Sequence, residues 1–129
     1  MILEDSMISK KNNFKIAVQM DNPHFLDKEG DSTLALIEEA LKKKFGVYIY
    51  LVNDLSLIKN KPVANMKKVK SLDIKSKDFI KLEKPKLLSL NDFGTILVRQ
   101  DPPFNMDYIT STHILDKVDE KVKIINNPS

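Results

Sequence analysis

The strongest constraint on this chain is a strand–helix–strand pattern near its start. "FKIAVQM" (14–20) is a short, mostly apolar run ending at Asp21, the pattern of a strand buried on both faces. A helix follows with clear signals: Asp31 or Ser32 can accept a hydrogen bond from the first turn, and Leu34, Ile37, Leu41 and Phe45 recur at helical spacing. Lys42, Lys43 and Lys44 suit its negative end, and Gly46 is expected to close it in the left-handed conformation. "VYIYLV" (47–52) is β-branched and aromatic, a second strand. Parallel strands joined by a helix form a βαβ unit, whose crossover is right-handed. The expectation is an α/β fold with a Rossmann-like open, mostly parallel sheet flanked by helices.

The rest of the chain extends this plan unevenly. Residues 55–72 predict a hairpin turning at Asn60–Pro62, inserted in the middle of the sheet, with Pro62 favouring the turn. Residues 74–94 read only as one short helix or strand plus a loop. "TILV" (95–98) is another apolar strand, and "RQDPPFN" cannot be helix because each proline disfavours helical geometry before it. Asp107 is expected to cap a second helix that turns Ile109, Thr112, Leu115 and Val118 inward, and "VKIIN" (122–126) is a last strand. With 129 residues there is room for one core, from 14 to 129, behind a disordered leader over 1–13.

Composition excludes several classes of function. Without cysteine there is no disulfide, thiolate metal site or thiol nucleophile. The apolar runs are far short of a membrane helix, and the start lacks a secretory pattern, so a cytoplasmic protein is expected. The net charge of +3 does not make a nucleic-acid binder. The lysines are scattered among acids, and the most basic stretch, residues 67–77, has no aromatic to stack on a base and reads as a solvated sheet edge. The three glycines, Gly30, Gly46 and Gly94, form no phosphate loop. His24 and His113 have no partners at ligand spacing, and His113 reads as a packing residue. Asp21 with Asp54 matches the strand-end acids of a phosphoacceptor domain, but residues 55–94 do not supply its regular βα units.

Ligands of open parallel sheets bind outside the carboxyl ends of the strands. Asp21, Asn53, Asp54, Arg99, Asp101 and Asn126 are expected there, with Asp31, Ser32 and Thr33 opening the first helix on the same side. Arg99 stands out as the single arginine among the 21 lysines and arginines. A guanidinium at the end of a buried strand is costly unless paired, and Asp21 or Asp101 is the expected partner. Its planar fork also suits the carboxylate of a substrate or partner.

"KIAVQMD", "GDSTLALIEEA", "YIYLVNDLSLI", "LVRQDPPFNMDYITSTHIL" and "KIINNPS", in this order and spacing, resemble the N-terminal domain of prokaryotic glutathione synthetase. The resemblance spans nearly all of 14–129, is weakest across 59–92, and rests most on "RQDPPFNMDYI". It implies a pre-ATP-grasp domain. The family joins γ-glutamylcysteine to glycine, using ATP to form an acyl phosphate that the glycine amine attacks. ATP and Mg²⁺ belong to an ATP-grasp domain that follows the segment matching "NNPS", so the 129 residues alone are expected to be inactive. By resemblance, Asp21, Asp31, Ser32, Thr33, Arg99, Asp101, Pro102, Pro103, Phe104, Asp107 and Tyr108 shape the peptide-substrate side of the cleft, Arg99, Asp101 and Ser32 foremost. An apolar patch of Phe104, Met106 and Tyr108 is expected to face the partner domain. The resemblance also implies homo-oligomers. Asn22, Asn105 and Gly94 depart from the family pattern. The alternative is a stand-alone, non-catalytic binding or self-association module with the same fold.

Overall fold

A computed structural model describes residues 14–26, 31–99 and 106–126. The leader, Gln100 to Asn105 and the last three positions lie outside the described residues, as do the expectations placed on Asp101, Pro102, Pro103 and Phe104.

The βαβ unit forms as the periodicity predicts. Strand β1 (Lys15–Met20) leads to helix α1 (Ser32–Lys42) and then strand β2 (Gly46–Tyr50), parallel to β1 with Val18 opposite Ile49. β1 is central: Ala17, Val18, Gln19 and Met20 are all buried, because both faces of the strand are covered. Strand β7 (Thr95–Arg99) runs parallel on its other side, and β8 (Lys123–Asn126) runs parallel to β7. Helix α2 (Met106–Leu115) connects those two. The sheet order is β3 (Leu55–Ile58), β4 (Lys61–Leu72), β2, β1, β7, β8.

Residues 55–92 build the inserted antiparallel part. Strands β3 (Leu55–Ile58) and β4 (Lys61–Leu72) form the expected hairpin, but its turn is Lys59–Asn60, not Asn60–Pro62. Both turn residues have positive φ, 51° and 64°, as a two-residue hairpin turn of type I′ requires. Pro62 is a buried strand residue opposite Leu57. Its missing N–H breaks no ladder with β6 (Lys86–Ser89), whose pairing starts one residue later at Val63. The stretch 74–94 yields two strands, β5 (Ile80–Leu82) and β6, and a 3-10 turn at Leu90–Asp92.

The long strand β4 pairs with β2, β3, β5 and β6. Lys67 and Lys68 are therefore not on a solvated sheet edge; they sit opposite Ile49 and Tyr48 of β2. Period-two alternation explains how lysines fit there: Ala64 and Met66 point to the core while Asn65 and Lys67 are exposed.

Three further expectations change. Gly46 does not close α1; it is the first residue of β2, and Lys44 takes the left-handed conformation at φ 66°. Asp107 lies inside the first turn of α2, which starts at Met106, so it is not the cap. The inward face of α2 carries Ser111, Ile114 and Leu115, while Ile109 is 45% exposed. His113 is exposed in its last turn, not packed. Of the expected apolar patch, Met106 is exposed, whereas Tyr108 is half-buried against the core.

Two apolar layers sandwich the sheet. Ala17, Tyr50, Met66, Ile96, Val98, Ile114 and Leu115 pack on the α2 side. Val18, Met20, Leu34, Ile37, Val47 and Ile49 pack on the α1 side. Gly94 sits against the Phe14 ring, where a Cβ would lie 2.1 Å from Cε1. Any larger residue at this position would have to displace that ring.

Candidate functional site

The carboxyl ends of β1 and β7 meet the start of α1. Register pairs Met20 with Arg99, so Asp21 follows the residue beside the arginine. Arg99 has the strand parity of Leu97, which packs on the α1 side, and its side chain therefore reaches the first turn of α1. Its Nε donates to Thr33 Oγ1 at 3.3 Å, and Nη2 donates to Ser32 Oγ at 2.5 Å. The guanidinium belongs to a residue only 8% exposed.

Asp31 fixes this corner from the helix side. It is the N-cap: Oδ1 accepts from the N–H of Thr33 at 2.7 Å and of Leu34 at 3.2 Å. Both acceptors offered to Arg99 are therefore held by an ordered helix start, Thr33 buried and Ser32 exposed.

The charge expected to pair with Arg99 is not found among the described residues. The one ion pair there is Lys42–Glu38, remote on the exposed face of α1. Asp21 makes no ion pair with Arg99, and Asp101 lies outside the described residues. Among the described residues, the guanidinium donates to the neutral hydroxyls of Ser32 and Thr33. A buried cation beside the positive end of a helix dipole is an electrostatically receptive place for an anion. The guanidinium has five N–H donors in a fork, and two suffice for the hydroxyls.

The remaining sequence-predicted residues separate. Asp107 and Tyr108 are carried by α2 on the opposite face of the sheet from Ser32 and Thr33. Asp107 lines a cavity of about 320 Å³ with Asn53, Thr110 and Ser111. Tyr108 Oη accepts from Asn126 Nδ2 at 3.2 Å, linking α2 to β8. On the α1 side, Met20, Asp21, Asn22, Leu51 and Asn53 line a crevice of about 440 Å³ at the ends of β1 and β2. Asp54 accepts from the Leu51 N–H at 3.0 Å and closes the turn after β2.

Sequence reasoning missed a buried polar chain. Tyr50 Oη donates to Gln19 Oε1 at 3.0 Å, and Gln19 Nε2 donates to Ser111 Oγ at 3.2 Å. Ser111 Oγ donates to the Tyr108 carbonyl at 2.6 Å. This ties α2 to the two central strands. Burial pushes the Tyr50 phenol far above its ordinary value, so it remains a protonated donor. The signal was present: Gln19 is the one amide in a mostly apolar run, and a buried amide demands partners.

Among the described residues no three His, Asp or Glu side chains gather to hold a metal ion. No described helix is long and apolar enough to cross a membrane.

The family profile described as "Prokaryotic glutathione synthetase, N-terminal domain" matches residues 14–129. A protein named glutathione synthetase from Bradyrhizobium diazoefficiens is 40% identical over 114 residues, covering 88% of this chain and 36% of that protein. Its namesake from Buchnera aphidicola subsp. Schizaphis graminum is 37% identical over 120 residues, covering 92% of this chain and 37% of that protein. The one from Rhodopseudomonas palustris is 36% identical over 115 residues, with 89% and 36% covered. The chain thus spans a little over a third of the length of these relatives. Matched from its first described strand through its last, and built as an α/β sheet with parallel strands at its centre, the chain belongs to the prokaryotic glutathione synthetase N-terminal domain family.

Proposed function

We propose that this chain is the substrate-side domain of an ATP-dependent ligase that joins γ-glutamylcysteine to glycine. Family membership and the printed name of its relatives support the reaction class. The observation that carries the chain's own part is the buried Arg99 fork, held by Ser32 and Thr33 at the carboxyl edge of the sheet.

In this reading Arg99 binds a carboxylate of the peptide substrate through its spare N–H donors, and Ser32 adds a hydroxyl at the exposed rim. Thr33 and Asp31 position them. Asp21, at the neighbouring strand end, offers a negative charge for the substrate's ammonium group. Asp101, Pro102, Pro103 and Phe104 complete the wall by family position. Asp107 and Tyr108 shape the other face, where α2 meets the cleft.

ATP would supply the phosphoryl group that activates the substrate carboxylate, and Mg²⁺ would offset the charge of its phosphates. The described residues contain neither a metal-holding cluster nor a glycine-rich phosphate loop, and so do not fit those groups. They are assigned to an ATP-grasp partner domain, and the 129 residues alone are expected to make no peptide.

The test is titration of γ-glutamylcysteine into the ¹⁵N-labelled chain, alone and joined to an ATP-grasp domain. Shifts centred on Arg99, Ser32 and Thr33 are expected. Arg99→Lys, which keeps the charge and loses the fork, should lower kcat/KM of the joined protein by about tenfold or more. Unchanged kinetics, together with no shifts at these residues, would sink the site.

A non-catalytic self-association module is favoured by one observation. Met106, Ile109, Ile124 and Ile125, on α2 and the edge strand β8, are 71%, 45%, 38% and 37% exposed. Sedimentation separates the readings: a chain that dimerises yet never supports ligation when joined to an ATP-grasp domain is the module.

A further inference from the structure

The long strand β4 is paired along most of its length, but not at its end. β3 and β6 both pair Val63 and Ala64, so they flank β4 on opposite sides. Glu83 donates its N–H to the Lys68 carbonyl at 2.9 Å from the β5–β6 side, which leaves β2 on the side of β3. β2 pairs β4 only at Lys67 and Lys68, and the register with β5 then shifts between Val69 and Ser71. Such an irregularity bends a strand, and β4 parts from β2 there. A groove of about 600 Å³ opens between the end of α1 and residues 68–72. Among the described residues no strand pairs this side of 69–72. At ~3.3 Å per residue, that is about 13 Å of open strand edge.

The groove carries charge of one sign. Lys42, Lys44, Lys68 and Lys70 line it against one acid, Glu38. That excess equals the net charge of the whole chain, +3, so the rest of the molecule is balanced. Glu38 is already paired with Lys42 at 3.8 Å. Lys68 is turned toward Tyr48, its Nζ 6.0 Å from the ring centroid. Lys44 and Lys70 are exposed and make no ion pair among the described residues. Lys44 is fixed in the turn by its N–H, which donates to the Leu41 carbonyl at 3.0 Å. Leu41, Phe45 and Leu72, all half-buried, give the groove an apolar floor.

An open strand edge accepts another strand through main-chain hydrogen bonds. Lysines beside such an edge discourage basic and apolar strands, which is one way sheets avoid pairing edge to edge. The same lysines attract an acidic strand. A bare polyphosphate would leave the backbone edge unused, and a nucleic acid would find one half-buried aromatic, Phe45, and no arginine. We propose that this groove docks an acidic, extended segment of a partner protein. The segment adds as a short strand to residues 69–72 of β4, with its carboxylates toward Lys44 and Lys70. The groove lies at the amino end of β2, away from the Arg99 corner at the carboxyl edge of the sheet. It does not depend on the function proposed for that corner.

The probe is the peptide acetyl-Thr-Glu-Val-Glu-Thr-Glu-amide, titrated into the ¹⁵N-labelled 129-residue chain. Saturable shifts are expected at Lys44, Lys70, Ser71 and Leu72, with slower amide hydrogen exchange within residues 69–72. A peptide with lysine in place of each glutamate should not bind. A version N-methylated throughout keeps the charges but loses the main-chain donors, and should bind about tenfold more weakly. Lys44→Gln combined with Lys70→Gln should weaken the probe about tenfold, as loss of two exposed charge contacts implies. Arg99→Lys should leave its binding intact, which separates this groove from the other site. The proposal is overturned by absence of saturable binding, by a lysine or N-methylated peptide that binds as well as the probe, or by shifts confined to the Arg99 corner. Tighter binding of tripolyphosphate or a single-stranded oligonucleotide would also overturn it, by making the groove a general polyanion site. The peptide controls test it on the unaltered chain, so a variant that fails to fold does not protect it.

Discussion

The chain Tyr50–Gln19–Ser111 makes the sharpest quantitative test of the fold that positions the cleft. All three residues are buried, at 2%, 0% and 1% exposure. Tyr50→Phe removes the donor to Gln19 Oε1 while keeping the ring's packing. A buried acceptor left without its donor costs about 1–3 kcal/mol, so about 2 kcal/mol is expected. Gln19→Leu removes the acceptor of Tyr50 and the donor to Ser111 together; Gln19 has further contacts, so this variant should be the costlier, at about 3 kcal/mol. The double variant no longer leaves a tyrosine hydroxyl stranded. It should therefore lose less than the two singles summed, by about 1–2 kcal/mol. Urea unfolding followed by far-ultraviolet circular dichroism, with unchanged m-values, reads all four stabilities. In thermal melts each kcal/mol corresponds to roughly 3–5 °C at this chain length. Strict additivity would refute the reasoning, since it would mean that the two groups do not depend on each other.

Two other predictions concern pH and backbone. Because burial raises the Tyr50 phenol, the folded chain keeps a proton that the unfolded chain releases above its ordinary value of about 10. Its contribution is full below pH 10 and is lost as pH rises beyond it, at up to about 1.4 kcal/mol per pH unit. Unfolding measured from pH 9 to 11.5 should therefore fall more steeply in the unaltered chain than in Tyr50→Phe; parallel curves would contradict the burial argument. Lys44 holds φ 66°, where a side chain is strained, so Lys44→Gly should stabilise by about 0.5–1 kcal/mol. Lys44→Ala should bring no such gain, and a loss on Lys44→Gly in urea unfolding would sink the strain account.

The legible parts of this chain were those where local pattern and burial agree. β1, α1, β2, β7 and β8 appear where apolar runs and a capping aspartate place them. Their carboxyl edge gathers Asp21, Asp31, Ser32, Thr33 and Arg99 because strand polarity alone decides which end of a parallel sheet they occupy. What failed locally was backbone choice among near-equals. Lys44, not Gly46, takes the left-handed turn, since Gly46 is drawn into register with Lys15. Pro62 enters a strand because the turn can close one step earlier on Lys59 and Asn60.

Sequence by itself determined the parallel centre, its order of elements and the arginine at the strand end, because these follow from periodicity and chain direction. Only the tertiary structure decided what surrounds them. It made β4 the hub of the inserted strands, turned Ser111 rather than Ile109 inward to meet Gln19, and gave Arg99 the hydroxyls of Ser32 and Thr33 rather than the carboxylate of Asp21. It also brought Lys44 and Lys70 to one groove. Such pairings join residues distant in the chain, and their cost or benefit depends on desolvation, which arises only when the layers close over them.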